Sequence, residues 1–197
     1  MQINVARTVP RSAVNGPGER FVVWVQGCPL HCPGCWNPDT WSFARRQLRT
    51  VGDLAHEIRT AGGIEGVTFT GGEPFAQARA LAALGRQLAA ADMSVFVFSG
   101  YELNELTEPA HRELLAVTDV LVAGRYIEAK RTLMLPWRGS ANQSVHYLTG
   151  RYSECSAEAT AGSCEVHIDS EGTATVTGFP ERALFETRAT SMGATPQ

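Results

Sequence analysis

Three cysteines lie close together in the amino-terminal part of the chain. Cys28, Cys32 and Cys35 have the spacing C-x3-C-x2-C, in a segment rich in proline. Three thiolates on one short loop favour binding to a single metal centre. A structural zinc site usually takes four protein ligands, and His31, between two of these cysteines, would strain the loop as the fourth. The spacing favours a four-iron cluster with one iron left open, with zinc or a chance grouping as alternatives.

The segment Gly71-Gly72-Glu73-Pro74 is the second place where the residue types suggest chemistry. Glycines allow a ligand to approach the backbone closely, and the carboxylate of Glu73 can pair with an ammonium group. Taken alone, such a segment is most often a simple turn. Its position after an apolar run at 67–70 makes it more informative, because that run predicts a β-strand.

Strands and helices alternate along the part of the chain that must position these residues. The hydrophobic patterns predict strands at 21–26, 67–70, 95–98 and 119–122, and helices at 51–61, 77–91 and 110–117. This alternation predicts an α/β fold with a parallel sheet. Right-handed crossovers then place the carboxyl ends of all the strands at one edge. Four strands are too few to close an eight-stranded barrel, so we expect an open, partial β/α barrel.

The composition of the chain changes beyond residue 150. We therefore predict a core domain at 1–150, and at 151–197 a linker, a small β-hairpin at about 164–177 and a flexible tail. This hairpin is expected to cap the open sheet or to contact a substrate. Cys155 and Cys164 match no compact cluster motif. They are interpreted as plain thiols, with a redox or auxiliary metal role as the alternative.

Composition limits the classes of protein to which the chain can belong. It has 197 residues, of which 44% are hydrophobic and 19% charged, enough for a proper core without disulfides. Its net charge of −3 provides no broad basic surface for nucleic acid. The odd number of cysteines argues for a reducing compartment. Neither a signal peptide nor an apolar stretch of membrane-spanning length is found, so we expect a cytoplasmic protein without nucleic-acid or membrane partners.

The cysteine triplet and the Gly-Gly-Glu-Pro segment, each placed after a predicted strand, together resemble the radical S-adenosylmethionine (SAM) superfamily. Further motifs narrow this resemblance to the activating proteins of anaerobic (class III) ribonucleotide reductase, which are glycyl radical enzyme activases. These motifs are Val14-Asn15-Gly16-Pro17-Gly18-x-Arg20, Cys-Pro-Gly-Cys-x-Asn at 32–37, Ser99-Gly100-Tyr101, Asp119-Val120-Leu121-Val122-x-Gly124 and Trp137-Arg138-Gly139-Ser140-x-Asn142-Gln143. The match extends over about residues 10–148.

The resemblance implies which residues hold the cofactors. Cys28, Cys32 and Cys35 would ligate a [4Fe-4S] cluster whose open iron is chelated by SAM. The other implied cofactor-binding residues are Gly71, Gly72, Glu73 and Pro74 at the methionyl end, Ser99 and Tyr101 near the ribose, and Arg138, Ser140 and Asn142 near SAM or the partner. Trp36 is included with them, although packing over the cluster explains it equally well.

The resemblance also implies a reaction and its partners. The reduced cluster would cleave SAM to methionine and a 5′-deoxyadenosyl radical, which abstracts a hydrogen atom from a glycine of a partner glycyl radical enzyme. A flavodoxin- or ferredoxin-like protein would donate the electron. Ala123, where the family usually has aspartate, and the C-terminal extension depart from the pattern. They leave two alternatives, a radical SAM enzyme that modifies a peptide or small molecule directly, and a non-catalytic iron–sulfur electron carrier or regulator.

Overall fold

The computed structural model describes residues 1–154, 162–168, 172 and 174–180. Within these residues the strands are β1 (Gln2–Ser12), β2 (Arg20–Val25), β3 (Gln47–Thr50), β4 (Gly66–Gly71), β5 (Ser94–Ser99), β6 (Val120–Ala123), β7 (Ser144–Tyr147), β8 (Cys164–Ile168) and β9 (Ala174–Gly178). The α-helices are α1 (Val51–Thr60), α2 (Ala78–Ala89) and α3 (Pro109–Leu115). Cys155 and the predicted tail lie outside the described residues, and the domain boundary at residue 150 stays a prediction.

Seven strands form one mixed sheet in the order β3-β1-β2-β4-β5-β6-β7. The four predicted strands are its centre, β2, β4, β5 and β6, and they are mutually parallel. The prediction of an α/β fold with parallel strands is therefore confirmed. The prediction omitted β1, β3 and β7, which pair antiparallel at the two sides of this centre. Antiparallel pairing needs no crossover helix, so these strands do not produce the strand–helix alternation on which the prediction was based.

The helices pack on one face of the sheet. Strand β2 is buried along its whole length, and its side chains alternate between the two faces. Phe21, Val23 and Val25 belong to the main core together with the helices. The predicted apolar stripe of α2 also lies in this core, where Leu81, Leu84 and Leu88 are fully buried.

The opposite face of the sheet carries no α-helix among the described residues, and we call it the helix-free face. Val22 and Trp24 of β2 form one small apolar cluster on this face, and Phe96, Val120, Val122 and Trp137 form another. Arg20 has no exposed surface, and its guanidinium lies 5.7 Å from the centre of the Phe96 ring. Loops and the antiparallel pair β8–β9 lie over this face.

The described residues contain no helix that is both long enough and apolar enough to cross a membrane.

Candidate active site

One cavity of about 370 Å³ lies over the helix-free face, where β2, β4 and β5 end. It brings together residues that are far apart in the sequence, as predicted for the carboxyl edge of parallel strands. The predicted site residues that line it are Cys28, Cys32, Cys35, Trp36, Gly71, Gly72, Glu73 and Ser99.

The cysteine loop is held by backbone hydrogen bonds at both of its ends. The Cys28 amide donates to the carbonyl of Trp41 at 3.0 Å, so the loop returns to the strand from which it left. Within the loop, the Cys35 amide donates to the carbonyl of Cys32 at 3.1 Å in a tight turn. His31 has a φ of +46° and stacks on Trp41 with ring centroids 5.0 Å apart. His31 does not line the cavity, whereas the three cysteines do.

The chemistry of the three thiols fits an iron–sulfur cluster. Cys28, Cys32 and Cys35 are free, and burial raises the pKa of Cys28 and of Cys32 above that of an ordinary thiol. Buried thiols of this kind become thiolates only when a cationic centre stabilises them. No three His, Cys, Asp or Glu side chains in the described ranges are placed to hold a single metal ion. Each cysteine of a four-iron cluster binds a different iron, so the sulfurs need not converge on one point.

The Gly-Gly-Glu segment is bonded directly to the start of the cysteine loop. The Gly72 amide donates to the Val25 carbonyl at 2.8 Å, and the Glu73 amide donates to the Gly27 carbonyl at 2.9 Å. Only glycine fits this crossing, because a Cβ on Gly72 would lie 2.3 Å from the Gly27 carbonyl oxygen. Gly71 has a φ of +94°, which other residues rarely adopt. These contacts hold Glu73 beside Cys28 at the cavity wall.

Glu73 is a buried carboxylate with three hydrogen-bond donors. Its Oε1 accepts from the Phe75 amide at 2.9 Å and from Ser99 Oγ at 3.0 Å, and its Oε2 accepts from the Gly100 amide at 2.8 Å. With 1% of its surface exposed, burial raises the pKa of this carboxyl to about 7, although the three donors oppose the rise. A carboxylate offers about four lone-pair sites, so Glu73 can accept from one further donor, such as the amino group of a ligand.

The other predicted site residues do not line the cavity. Pro74 begins the short 3₁₀ helix after Glu73, and Tyr101 packs against the main core under the Arg125 guanidinium. Ser140 is fully buried, and its Oγ accepts a hydrogen bond from the Ile127 amide at 3.2 Å. Asn142 donates to the Arg125 carbonyl at 2.9 Å. Arg138 Nε is buried and has no hydrogen-bond partner among the described residues.

Several residues that line the cavity were not among the predicted site residues. Asn15 and Gln143 belong to motifs that the sequence analysis quoted, and that signal could have identified them. Gln143 accepts from the Gly139 amide and donates to the Gly124 carbonyl, both at 2.8 Å, and so links two loops at the rim. A further group comes from the C-terminal extension, which contributes Ala174, Val176, Thr177, Gly178, Phe179 and Pro180. The alternating pattern at 164–177 predicted a hairpin there, but no motif identified these side chains as part of the site.

Comparison with known proteins agrees with this geometry. Residues 14–146 match the family model described as a 4Fe-4S single cluster domain. The chain is 34% identical over 155 residues to the anaerobic ribonucleoside-triphosphate reductase-activating protein of Vibrio cholerae, an alignment that covers 75% of this chain and 99% of that protein. The chain belongs to the family of anaerobic ribonucleoside-triphosphate reductase-activating proteins. The resemblance inferred from the motifs is confirmed.

Other members of the family align with this chain over similar lengths. The protein of the same name from Escherichia coli K12 is 32% identical over 157 residues, covering 74% of this chain and 99% of its own. That of Enterobacteria phage T4 is 35% identical over 150 residues, covering 73% and 93%. Among solved structures, QueE from Escherichia coli aligns with a TM-score of 0.45 and 20% identity over 51% of this chain and 53% of that chain. The family model ends at residue 146, before β8 and β9.

Proposed function

We propose that this protein is a radical SAM enzyme that activates an anaerobic ribonucleoside-triphosphate reductase by creating a glycyl radical on it. The observation that carries the proposal is the cavity that the three cysteines and Glu73 line together. Family membership supports it, because the named relatives are activating proteins of this reductase. In this proposal the sheet is the open, partial barrel of radical SAM enzymes, and its helix-free face is the inside of that barrel.

Cys28, Cys32 and Cys35 would ligate a [4Fe-4S] cluster, and SAM would occupy the remainder of the cavity. When bound and reduced, the cluster supplies the electron that breaks the S–C5′ bond of SAM. The protein's own residues bind and orient SAM. Glu73 would accept a hydrogen bond from the amino group of SAM, and Gly72 lets the ligand approach the backbone. A flavodoxin- or ferredoxin-like donor in the cytoplasm would provide the electron.

The test is formation of a glycyl radical on the partner. Anaerobically reconstituted protein, SAM and a reductant are mixed with the anaerobic ribonucleotide reductase of the same organism. We expect the doublet EPR signal of a glycyl radical and one 5′-deoxyadenosine for each radical formed. If SAM is cleaved and the doublet is absent, the protein is not an activase of this reductase.

Cys32 and Cys164 provide a matched pair for the role of the cysteines. Cys32 lines the cavity, and Cys164 is a free thiol on β8 that does not. We expect Cys32→Ser to lose the iron–sulfur absorbance and the doublet, and Cys164→Ser to keep both. If neither substitution affects the absorbance, the proposed ligand set is wrong.

A second candidate function is direct modification of a peptide or small molecule. Two observations favour it, the alanine at position 123, buried at the end of β6, and the C-terminal residues that partly enclose the cavity. Transfer of deuterium from a labelled small substrate into 5′-deoxyadenosine would support this function. Transfer from a glycine-labelled reductase would support the first.

A further inference from the structure

The C-terminal strap, which we define as residues 162–168 and 174–180, forms one wall of the cavity. The cavity-lining part of the strap is Ala174 and Val176 to Pro180, opposite the cysteine loop. The family model ends at residue 146. This wall is therefore built from a segment outside the region that the chain shares with the family model.

Two hydrogen bonds attach the strap to the segment that precedes β2. Asn15 Nδ2 donates to Thr177 Oγ1 at 2.6 Å, and both residues are buried. The Ala13 amide donates to Glu165 Oε1 at 2.9 Å. Asn15 belongs to a family motif and lines the cavity. The strap is thus bonded to the shared site itself, and not to a distant surface.

Phe179 attaches the strap to the cysteine loop. Its ring meets Trp36 edge-on, with centroids 6.2 Å apart and planes at 87°, and it also contacts Phe98 at 6.3 Å. Trp36 is the neighbour of Cys35 in the chain. Arg131 completes the contact, because its guanidinium lies 4.9 Å from the centre of the Trp36 ring and donates to the Pro180 carbonyl at 2.9 Å.

These attachments are few for a segment of this size. Only Thr177 and Pro180 are buried among the described residues of the strap, and on β8 Val166 and Ile168 are 49% and 70% exposed. A two-stranded sheet is marginally stable by itself in water. Segments with few buried contacts open at a small fraction of the free energy of global unfolding, and lids over active sites come from this class.

The size of the cavity limits what can lie beneath the closed strap. A volume of about 370 Å³ is near the lower end of the range for a site that holds one small ligand. A glycine within a folded partner reaches the site only together with the backbone on either side of it. With the strap in place this volume must hold the proposed cluster as well as SAM, which leaves little room for a peptide segment.

We propose that the strap is a lid that the glycine-bearing segment of the partner protein displaces, while SAM binds beneath the closed lid. The proposal rests on the proposed function and specifies how its protein substrate enters. In place, the lid forms one wall of a cavity that is still partly open to solvent, and its displacement widens the entrance. Open, it exposes Asn15, Trp36 and Phe98 along the path of the incoming peptide.

Opening can be measured without reference to activity. The reconstituted holoenzyme with SAM is subjected to hydrogen–deuterium exchange with and without the reductase, and amides at 162–168 and 174–180 are followed. We expect the reductase to accelerate exchange in the strap, and SAM alone to leave its exchange rate unchanged. Unchanged or slower exchange on addition of the reductase overturns the lid.

Three variants test the lid in the activation assay. Phe179→Ala removes the contact with Trp36, Thr177→Val removes the bond to Asn15, and Ile168→Ala truncates an exposed side chain of the same strap as the control. Because a partner's apparent affinity scales with the open fraction, Phe179→Ala should lower the reductase concentration for half-maximal radical formation about tenfold. Thr177→Val should lower it about threefold, and Ile168→Ala should leave it unchanged.

The outcomes separate the lid from the proposed function. Absence of a glycyl radical with the unmodified protein refutes the proposed function, and the lid proposal falls with it. The lid alone is refuted if the radical forms but Phe179→Ala and Thr177→Val need the same reductase concentration as the unmodified protein, or a higher one, for half-maximal radical formation. In that case the strap is a fixed wall of the site.

Discussion

Replacing Glu73 with glutamine is expected to change how SAM binding depends on pH. The Glu73 carboxyl is buried, and its pKa is raised to about 7 because burial disfavours the charged form. It is thus neutral below pH 7 and charged above it. In the proposed complex the amino group of SAM interacts best with the charged carboxylate, so binding should weaken as the pH falls through 7. Glutamine keeps the shape of the side chain and cannot ionise.

The expected magnitude follows from this pKa. For a group that titrates near 7, the charged fraction falls from about nine-tenths at pH 8 to about one-tenth at pH 6. If only the charged form binds SAM well, affinity falls about tenfold, equivalent to about 1.4 kcal/mol. The amino group of SAM also titrates near this range, but it does so equally with both proteins. The ratio of the SAM dissociation constants of Glu73→Gln and the unmodified protein therefore reports the ionisation of Glu73 alone.

The assay is a SAM titration of the reduced cluster followed by EPR at pH 6, 7 and 8. We expect the ratio of the dissociation constants of the Gln variant and the unmodified protein to change about tenfold across this range. Ser99→Ala provides a second test, because the Ser99 hydroxyl donates to Glu73 and lowers its pKa. In Ser99→Ala the fall in SAM affinity should therefore begin at a higher pH than in the unmodified protein. Parallel pH profiles for the unmodified protein and Glu73→Gln would refute the reasoning.

Three further substitutions probe the scaffold of the site. Gly72→Ala should prevent cluster assembly, measured as bound iron, because its Cβ would lie 2.3 Å from a backbone oxygen of Gly27. Arg20→Met should lower the free energy of unfolding by about 3 kcal/mol in denaturant titrations, since the buried oxygens that accept its five hydrogen bonds lose their donor. Thr50→Ala removes the N-cap of α1, whose Oγ1 accepts from the Asp53 amide. It should lower stability by about 1 kcal/mol and leave SAM affinity unchanged.

The centre of the fold could be predicted because its signals are local. Each of the four parallel strands is a short apolar run, and α1 and α2 carry apolar side chains at helical spacing. The flanking strands carry weaker signals. β1 contains Arg7 and Pro10 and has two irregularities in its register with β2. β3 is mostly exposed and has a polar sequence, and its pairing of Gln2 with Thr50 joins segments far apart in the chain.

The candidate site divides in the same way. Cys28, Glu73 and Ser99 could be proposed from sequence because each follows a predicted strand, and parallel topology brings such positions to one edge. Tyr101 also follows a strand, but its side chain packs against the main core. The alternating pattern at 164–177 predicted a hairpin that caps the sheet or contacts a substrate, but Phe179 follows that segment, and no periodicity or motif indicates its contact with Trp36.

The bond between Asn15 and Thr177 joins residues that are 162 positions apart, and this separation orders the events of biosynthesis. Chains are made from the amino terminus, and domains fold as they emerge. The cysteine loop and all seven strands of the main sheet leave the ribosome before Thr177 and Phe179 do. During that interval the cavity lacks its C-terminal wall. The proposed cluster ligands Cys28, Cys32 and Cys35 are thus accessible to iron and sulfide before the strap folds over them.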